Sequence, residues 1–213
     1  MKQKKDIDVL VIDYGVGNHQ SVVNALDILG VAYAVSAEKS HIESAPAYIL
    51  PGVGAFEEAM KNLENRNIGP MLKKEIDRGK PLLGICLGMQ VLAEDSNENG
   101  KHKGLGWIPG HVVRISDAST RVPHVGWNDL KIEKRSPLFD TIAEDARFYF
   151  DHSYHFETTR TYISALTFYG ADITAAVQRG NIYGVQFHPE KSQNNGLRLL
   201  RAFLESTMPD TLK

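Results

Sequence analysis

The first 92 residues alternate short, uninterrupted apolar runs with segments in which apolar side chains recur at helical spacing. The runs Val9–Ile12, Tyr48–Leu50 and Leu82–Ile85 contain no polar position, which is typical of strands buried on both faces. A fourth run, at residues 31–35, predicts another strand. Helical spacing predicts helices at residues 21–29, 57–63 and 68–78. Strands and helices in this order favour a parallel sheet with helices on both faces.

The pattern changes after about residue 92, where short apolar runs separated by turn residues replace the helical spacing. Residues 94–103 are polar and predict a loop, and apolar spacing at residues 192–205 predicts a closing helix. The segment between them predicts strands at 111–115, 125–132, 148–150, 162–168, 173–178 and 182–187. Because no linker divides the two halves, we predict one α/β domain over residues 1–213. Its largely parallel open sheet is flanked by helices, and the C-terminal half adds antiparallel or mixed strands.

Composition narrows the classes of function. The chain has 213 residues, a formal net charge of −2 and one cysteine. Near-neutral charge gives no indication of binding to nucleic acid, and no apolar run approaches the length of a membrane span. A single cysteine excludes an intrachain disulfide and a thiolate-rich metal site, and it fits a reducing compartment. We therefore expect a cytoplasmic protein that needs no metal or other cofactor. Gly15 and Gly17 follow the first strand as in a dinucleotide-binding loop, but Gln20 stands at the position of that loop's third glycine. We therefore do not expect a nucleotide site.

The one cysteine, Cys86, lies in a distinctive local setting. Residues 84–88 read Gly-Ile-Cys-Leu-Gly, after an apolar run and before a predicted helix. This is the pattern of a nucleophile elbow, a sharp strand-to-helix turn that exposes one side chain. At such a turn the helix N-terminus favours a thiolate, and the backbone N–H of Leu87 can stabilise an oxyanion. Taken alone, Cys86 fits a small buried hydrophobic residue equally well.

A cysteine nucleophile needs a base, and the base needs an orienting group. Residues 186–190 read Gln-Phe-His-Pro-Glu, in which the proline keeps His188 extended. Side chains two apart in extended backbone project to the same side, so Glu190 can orient the imidazole of His188. A surface turn with a solvated glutamate is the structural alternative. His152 and His155 are rival bases, but neither has an acid placed in this way.

Together these motifs resemble those of the class I (triad) glutamine amidotransferases. The elbow and the His-Pro-Glu segment are shared across that family, and further segments resemble the glutaminase subunits of imidazole glycerol phosphate synthases. The matching segments run almost from end to end of the chain: 13–18 (Asp-Tyr-Gly-Val-Gly-Asn), 51–56 (Pro-Gly-Val-Gly-Ala-Phe), 84–90 (Gly-Ile-Cys-Leu-Gly-Met-Gln), 123–128 (Pro-His-Val-Gly-Trp-Asn), 149–154 (Tyr-Phe-Asp-His-Ser-Tyr) and 186–192 (Gln-Phe-His-Pro-Glu-Lys-Ser).

The resemblance implies that Cys86 attacks the side-chain carboxamide of glutamine, that His188 acts as base and then as acid, and that Glu190 orients His188. Ammonia leaves as a glutamyl thioester forms, and water then releases glutamate. The positions that match the family's oxyanion donors are Val53 and Leu87. Those that match its glutamine-binding positions are Gly52, Gln90, Ser153 and Tyr154.

The resemblance also implies a partner protein. Ammonia at neutral pH is mostly ammonium, which is not a nucleophile, so a synthase gains from a closed passage to the site that uses it. The family's partner is a (β/α)₈-barrel cyclase subunit, with which this chain would form a heterodimer. We expect Asn18, Trp127 and Lys191 on the contact face. A helix cap, a core aromatic residue and a solvated lysine are the respective structural alternatives.

Two features depart from the family pattern. Stand-alone amidotransferases carry a second glycine where this chain has Val53, and a β-branched residue narrows the accessible backbone conformations. We therefore expect the loop at Val53 to rearrange before the oxyanion site is complete, so that the isolated chain is a poor glutaminase. Asp151 and His19 also stand where the family has apolar residues, near the glutamine pocket and the partner-facing loop respectively.

Three alternatives stay open from the sequence. An α/β-hydrolase-type esterase uses the same elbow, but its triad acid precedes the histidine, whereas Glu190 follows His188. A non-catalytic scaffold subunit would not need all three triad residues. A paralogous glutaminase–cyclase pair would supply ammonia for amidation of a surface sugar instead of histidine biosynthesis, since the acceptor binds on the partner.

Overall fold

The computed structural model of the chain describes residues 7–116 and 120–207. Two short 3-10 turns lie at Pro137–Phe139 and Pro189–Lys191. In chain order, the helices and strands are β1 (Val9–Ile12), α1 (His19–Leu29), β2 (Tyr33–Ser36), α2 (Lys39–Ser44), β3 (Tyr48–Leu50), α3 (Phe56–Asn65), α4 (Ile68–Ile76), β4 (Leu82–Ile85), α5 (Leu87–Gln90), β5 (Asp95–Ser96), β6 (His102–Lys103), β7 (His111–Arg114), β8 (His124–Asp129), β9 (Lys131–Ile132), β10 (Arg147–His152), β11 (Tyr154–Glu157), β12 (Ile163–Tyr169), β13 (Ala171–Arg179), β14 (Ile182–Val185) and α6 (Gln193–Thr207).

A central eight-stranded sheet has the strand order β2-β1-β3-β4-β14-β13-β12-β9. Strands β2, β1, β3, β4 and β14 run parallel, whereas β13, β12 and β9 each pair antiparallel. This confirms the predicted parallel sheet with antiparallel strands added by the C-terminal half. At its centre Gly84 of β4 pairs with Gly184 of β14, and Ile85 pairs with Val185. The segments that leave these two strands therefore emerge side by side at one edge of the sheet.

Alternate residues of β1 face different hydrophobic cores. Val9 and Val11 belong to a core that includes side chains of α1 and α6. Leu10 and Ile12 belong to a second core that includes side chains of α3 and α4. All four side chains are fully buried, which explains why the strand reads as an uninterrupted apolar run. The helices therefore cover both faces of the sheet, as predicted.

The ends of α1 show how local sequence sets helix boundaries. The side chain of Asn18 accepts a hydrogen bond from the backbone N–H of Ser21 at 3.4 Å, as an N-cap residue does. Gly30 ends the helix with a φ of 70°, a left-handed conformation that glycine adopts without strain. In the described part of the chain, no helix is long and apolar enough to span a membrane.

The apolar pattern does not predict several short elements. Residues 94–103 are not all loop, because they contain the two-residue strands β5 and β6. Residues 125–132 form two strands, β8 and β9, rather than one, and α2 and β11 have no counterpart in the prediction. These elements are short or polar, and β5, β6 and β11 join β7 in a separate four-stranded sheet. Tertiary neighbours rather than local propensity define such strands.

Candidate active site

Cys86 lies at a sharp turn between β4 and the one-turn helix α5. Its φ of 53° and ψ of −109° are strained for a residue that carries a side chain. A Cβ on Gly88 would lie 1.8 Å from the carbonyl oxygen of Leu50, and one on Gly84 would lie 2.5 Å from the carbonyl oxygen of Gly88. The turn has the geometry of a nucleophile elbow that requires both glycines. Because α5 has only four residues, neighbouring side chains act on the sulfur more than a helix dipole does.

His188 and Glu190 are paired as predicted, although by a different backbone route. The Nδ1 atom of His188 lies 2.8 Å from Oε1 of Glu190, and both side chains are buried. His188 is extended, but the 3-10 turn at Pro189–Lys191 carries Glu190 to the ring, so extended spacing is not the reason for their contact. The N–H of His188 donates to the carbonyl of Tyr149 at 2.8 Å, and Ser192 Oγ donates to the carbonyl of His188 at 2.6 Å. These bonds fix the segment.

Two opposing effects set the charge of His188. Burial lowers the pKa of His188, whereas its interactions with the side chains of Cys86 and Glu190 raise it. The second effect is larger, so the pKa of His188 is raised to about 10. The imidazole is therefore protonated at neutral pH. An imidazolium beside a sulfur favours the thiolate, and it holds the proton that a departing amine needs.

A cavity of about 300 Å³ opens beside Cys86. The sequence-predicted residues in its wall are Cys86, Leu87, His188, Val53, Gln90, Ser153 and Tyr154. Glu190 lies behind His188, and Gly52 lies beneath the Val53 loop, where a Cβ would come 2.6 Å from Oη of Tyr14. The structure therefore brings the predicted triad, oxyanion and glutamine-binding positions into one site.

Sequence reasoning gave no role to Glu98 and Gln186, which both belong to this site. Glu98 lines the cavity, and its Oε2 accepts a hydrogen bond from the backbone N–H of Phe56 at 2.8 Å. No local signal marks Glu98 within the polar stretch 94–103. Gln186 is completely buried, with its Nε2 3.6 Å from Sγ of Cys86. The available signal was its position two residues before His188 in extended chain.

Hydrogen bonds fix the tautomers of the rival base His152 and its neighbour His124. Nδ1 of His152 lies 2.9 Å from the carbonyl oxygen of Tyr154, and its Nε2 lies 3.0 Å from Nδ1 of His124. Since a carbonyl only accepts, His152 donates from Nδ1 and His124 donates to His152. Burial lowers the pKa of His152 to about 3 and that of His124 to about 4, so both rings are neutral. His152 lines the cavity, but among the described residues it has no carboxylate partner as His188 has.

The remaining rival, His155, is largely buried, and burial lowers its pKa. Its Nε2 lies 3.9 Å from a carboxylate oxygen of the exposed Glu157, at the outer limit of an ion pair. Within residues 7–116 and 120–207, no group of three or more His, Cys, Asp or Glu side chains could hold a metal ion.

The three predicted interface residues lie in different settings. Asn18 is exposed and caps α1, as its structural alternative proposed. Trp127 is 44% exposed, so the alternative of a core aromatic residue is wrong. Its ring packs edge-on against Tyr149 at 6.1 Å between centroids, and Nζ of Lys191 lies 5.7 Å from the centroid of the same Tyr149 ring. Trp127 and Lys191 therefore share one surface, which also adjoins the 3-10 turn Pro189–Lys191 that carries Glu190.

Comparison with known proteins agrees with this geometry. The model of the family "Glutamine amidotransferase class-I" matches residues 10–206. The chain therefore belongs to the class I glutamine amidotransferases. A solved structure described as a glutamine amidotransferase aligns with a TM-score of 0.72 and 25% identity, over 92% of this chain and 97% of that one. PurLQS from Thermotoga maritima has the same fold, with a TM-score of 0.75 at 19% identity over 93% of this chain and 97% of that one.

Relatives of higher identity are more specific. The chain is 47% identical over 198 residues to imidazole glycerol phosphate synthase subunit HisH of Listeria monocytogenes serotype 4b (strain F2365), covering 92% of this chain and 95% of the relative. It is 49% identical over 200 residues to imidazole glycerol phosphate synthase subunit HisH 2 of Vibrio vulnificus (strain YJ016), covering 92% and 94%. These likenesses confirm the resemblance that the motifs indicated, and they set aside the α/β-hydrolase alternative.

Proposed function

We propose that this chain is the glutaminase subunit of an imidazole glycerol phosphate synthase, serves histidine biosynthesis in the cytoplasm, and acts as a single domain in a heterodimer with a (β/α)₈-barrel cyclase. The observation that carries the proposal is the Cys86 elbow, which lines a cavity of about 300 Å³ together with His188 of the buried His188–Glu190 pair. Similarity at 47% identity to a HisH subunit supports the pathway. A free thiol as nucleophile suits a reducing compartment.

In the proposed reaction, the thiolate of Cys86 attacks the carboxamide carbon of glutamine and forms a tetrahedral oxyanion. His188 donates its proton to the amide nitrogen, the C–N bond breaks, and ammonia leaves a glutamyl thioester. Neutral His188 then accepts a proton from water, whose oxygen attacks the thioester. Collapse of the second oxyanion releases glutamate and restores the thiolate beside the protonated His188. Throughout, Glu190 holds Nδ1 of His188 and stabilises its positive charge.

Backbone N–H groups are proposed to stabilise both oxyanions. The N–H of Leu87 follows the nucleophile directly, and that of Val53 lies on the facing loop; both residues line the cavity. One such donor is typically worth ~3 kcal/mol of barrier. Val53 is 39% exposed on the rim of the cavity, where a partner or substrate can displace it. Rearrangement of this loop is our proposed reason for low activity of the isolated chain.

Polar groups around the cavity suit the amino-acid end of glutamine. Glu98 offers the wall an anionic carboxylate, which suits the α-ammonium group. Both hydrogens of the Gln90 amide are used, on the carbonyl of Tyr154 and on Oε1 of Gln186, so its oxygen is the atom left for the substrate. Ser153 also lines the cavity, and its hydroxyl is a further polar group for the substrate. Gly52 contributes space, since a side chain there would reach Tyr14.

The partner is proposed to bind the surface that carries Trp127 and Lys191. Val125, two residues before Trp127 on β8, is 54% exposed and extends the apolar part of this surface. Aromatic side chains are enriched in interface cores, which favours the exposed Trp127 as the centre of this surface. Asn18 belongs to the same proposal, although its side chain also caps α1.

The test is the release of glutamate from glutamine by the purified chain, alone and with a barrel cyclase of histidine biosynthesis carrying its ribonucleotide ligand. We expect low activity alone, a large rise with the liganded cyclase, and none in Cys86→Ala. Activity that persists in Cys86→Ala would overturn the proposal. A chain that is active but unaffected by this cyclase would point to a paralogous partner, such as one that amidates a surface sugar. A scaffold subunit would show no activity in any combination.

A further inference from the structure

Gln186 lies beside the nucleophile on the neighbouring strand. It directly follows β14, whose Val185 pairs with Ile85, and the N–H of Cys86 donates to the carbonyl of Val185 at 2.7 Å. The side chain of Gln186 is completely buried, and its Nε2 reaches Sγ of Cys86 at 3.6 Å. A buried amide is costly unless its hydrogen bonds are made, so this orientation needs an explanation.

A chain of hydrogen bonds fixes which end of the amide faces the sulfur. The carbonyl oxygen of Tyr154 can only accept, so Gln90 presents its Nε2 there, at 2.9 Å. The same Nε2 lies 3.0 Å from the Gln186 amide, which must then present its oxygen to Gln90. Only Nε2 of Gln186 is left to face Cys86. The backbone at Tyr154 therefore dictates that Cys86 receives a donor and not an acceptor.

A backbone carbonyl near the sulfur has the opposite preference. The carbonyl oxygen of Asp151 lies 4.0 Å from Sγ and can only accept, so it interacts favourably with a thiol proton and unfavourably with a thiolate. The N–H of Gln186 interacts favourably with the thiolate. A neutral donor at this position adds to the effect of the protonated His188 without titrating itself.

We propose that Gln186 is a positioning residue for the glutaminase reaction: held by Gln90, its amide donates to Sγ of Cys86, stabilises the thiolate and aims it at the cavity. The inference rests on the proposed role of Cys86 as nucleophile. The hydrogen bond is strongest when the sulfur is anionic. It therefore stabilises the thiolate of the free enzyme before attack, and again the thiolate that leaves when the thioester is hydrolysed.

The test uses Gln186→Met in the full chain, which keeps the side-chain length and removes both the donor and the acceptor. Cys86 is the only cysteine, so alkylation by iodoacetamide and thiolate absorbance at 240 nm report it alone. We expect the midpoint of the alkylation pH profile to rise by about one unit, and kcat with the cyclase to fall about tenfold at nearly unchanged KM. Gln186→Glu keeps the acceptor for Gln90 but places a carboxyl group against the sulfur, and it should raise the midpoint further.

The matched control is Gln178→Met, at an amide on β13 whose Nε2 donates to the carbonyl of Gly180 at 3.2 Å. Its alkylation profile and kcat should equal those of the unmodified chain. An unchanged alkylation profile in a folded Gln186→Met or Gln186→Glu variant would overturn the inference, and loss of the fold in both would assign Gln186 a purely structural role. Activity in Cys86→Ala would overturn the proposed function instead, so the two failures are distinct.

Discussion

Glu190 accepts a hydrogen bond from Nδ1 of His188 at 2.8 Å through Oε1, while its other carboxylate oxygen, Oε2, is buried without a hydrogen-bond partner among the described residues. The carboxylate is thus committed to one imidazole. Its charge is one of the interactions that keep the pKa of His188 raised. Protonated His188 contributes stability to the folded protein. That contribution is complete when the pH is below the ordinary pKa of histidine, and it is lost as the pH rises toward about 10.

Glu190→Gln keeps a similar shape but removes the charge. We expect the pKa of His188 to fall and kcat with the cyclase to drop on the order of 10²- to 10⁴-fold, because the imidazolium loses its counter-charge. Steady-state glutamate release across pH measures both effects. Glu133→Gln, at a carboxylate that pairs with Lys131 instead, is the control and should keep full activity. Equal kinetics in the two variants would contradict a role of Glu190 in the triad.

Tyr14→Phe tests the cost of a buried hydroxyl. Tyr14 is fully buried, and its hydroxyl has no hydrogen-bond partner among the described residues. Removing it should raise the free energy of unfolding by about 1 kcal/mol. Tyr48→Phe is the matched control, because the Tyr48 hydroxyl donates to the carbonyl of Ile42 at 2.6 Å, and its loss should lower stability by about the same amount. Urea unfolding of both variants measures these two changes. Changes of the same sign in the free energy of unfolding would contradict the expectation.

Gly52→Ala tests the space beneath the oxyanion loop. A Cβ at Gly52 would lie 2.6 Å from Oη of Tyr14 and 2.9 Å from both the backbone nitrogen of Gly88 and Cβ of Leu87. The added methyl group would displace Leu87, whose backbone N–H is a proposed oxyanion donor, so kcat should fall about 10²-fold. Adding Tyr14→Phe should restore only part of the lost kcat, because it relieves only one of these three contacts.

The control for this change is Gly69→Ala in α4, where the nearest atom to a Cβ would be a flexible leucine methyl at 3.0 Å. We expect it to retain normal kinetics and a near-normal melting temperature. Gly52→Ala with full activity would show that the loop tolerates a side chain and that our account of the site is wrong.

The buried histidine pair predicts acid sensitivity. In the unfolded chain both rings titrate near a pKa of about 6.5, whereas burial in the fold lowers the pKa of His124 to about 4 and that of His152 to about 3. Between these values the unfolded state binds more protons, so stability is complete above about pH 6.5 and falls as the pH drops toward 4.

His124→Phe keeps an aromatic ring in the stack between Phe150 and Tyr169 and removes one titrating group. Urea unfolding at several pH values should give a slope between pH 6 and 4.5 that is smaller by about one proton, or ~1.4 kcal/mol per pH unit. Between pH 7.5 and 9 the two proteins should have the same slope, because His124 is neutral there in both states. Parallel curves in the acid range would contradict the neutral pair.

Trp127→Ala and Lys191→Ala test the proposed interface. Each should raise the cyclase concentration needed for half-maximal stimulation about tenfold, and activity without the cyclase should not change. Ile28→Ala is the control: Ile28 is 70% exposed near the opposite end of α1 from Asn18, and its replacement should have no effect. Stimulation curves that superimpose for all three variants would place the partner elsewhere.

The sequence predicts elements well where both faces of a strand are buried. β1, β3 and β4 have the predicted bounds, because an uninterrupted apolar run has few other stable solutions. The two-residue strands β5 and β6 are polar, and only their pairing in the tertiary structure defines them. The sequence pattern therefore predicts most strands of the central sheet but few of those in the four-stranded sheet.

The same limit applies to the site. The proposed triad positions follow from two motifs, each made of residues that are neighbours in the chain. Glu98 reaches the cavity wall from a polar stretch without any local signal. The orientation of the Gln186 amide depends on Gln90, which is 96 residues away in the chain. Exposure of Trp127 depends on a separate two-stranded sheet, so its residue type alone indicated a core position equally well.

The pairing of β4 with β14 has a consequence during synthesis of the protein. Cys86 leaves one of these strands and His188 the other, and β14 is the last strand in the described part of the chain. A nascent chain that has emerged only as far as β13 therefore carries the thiol of Cys86 on an incomplete sheet, without the proposed base His188 and without Gln186. With Cys86 and His188 in their proposed roles, glutamine hydrolysis cannot begin on the ribosome before residues 186–190 have left the exit tunnel and β14 has paired with β4, so a shorter nascent chain releases no ammonia.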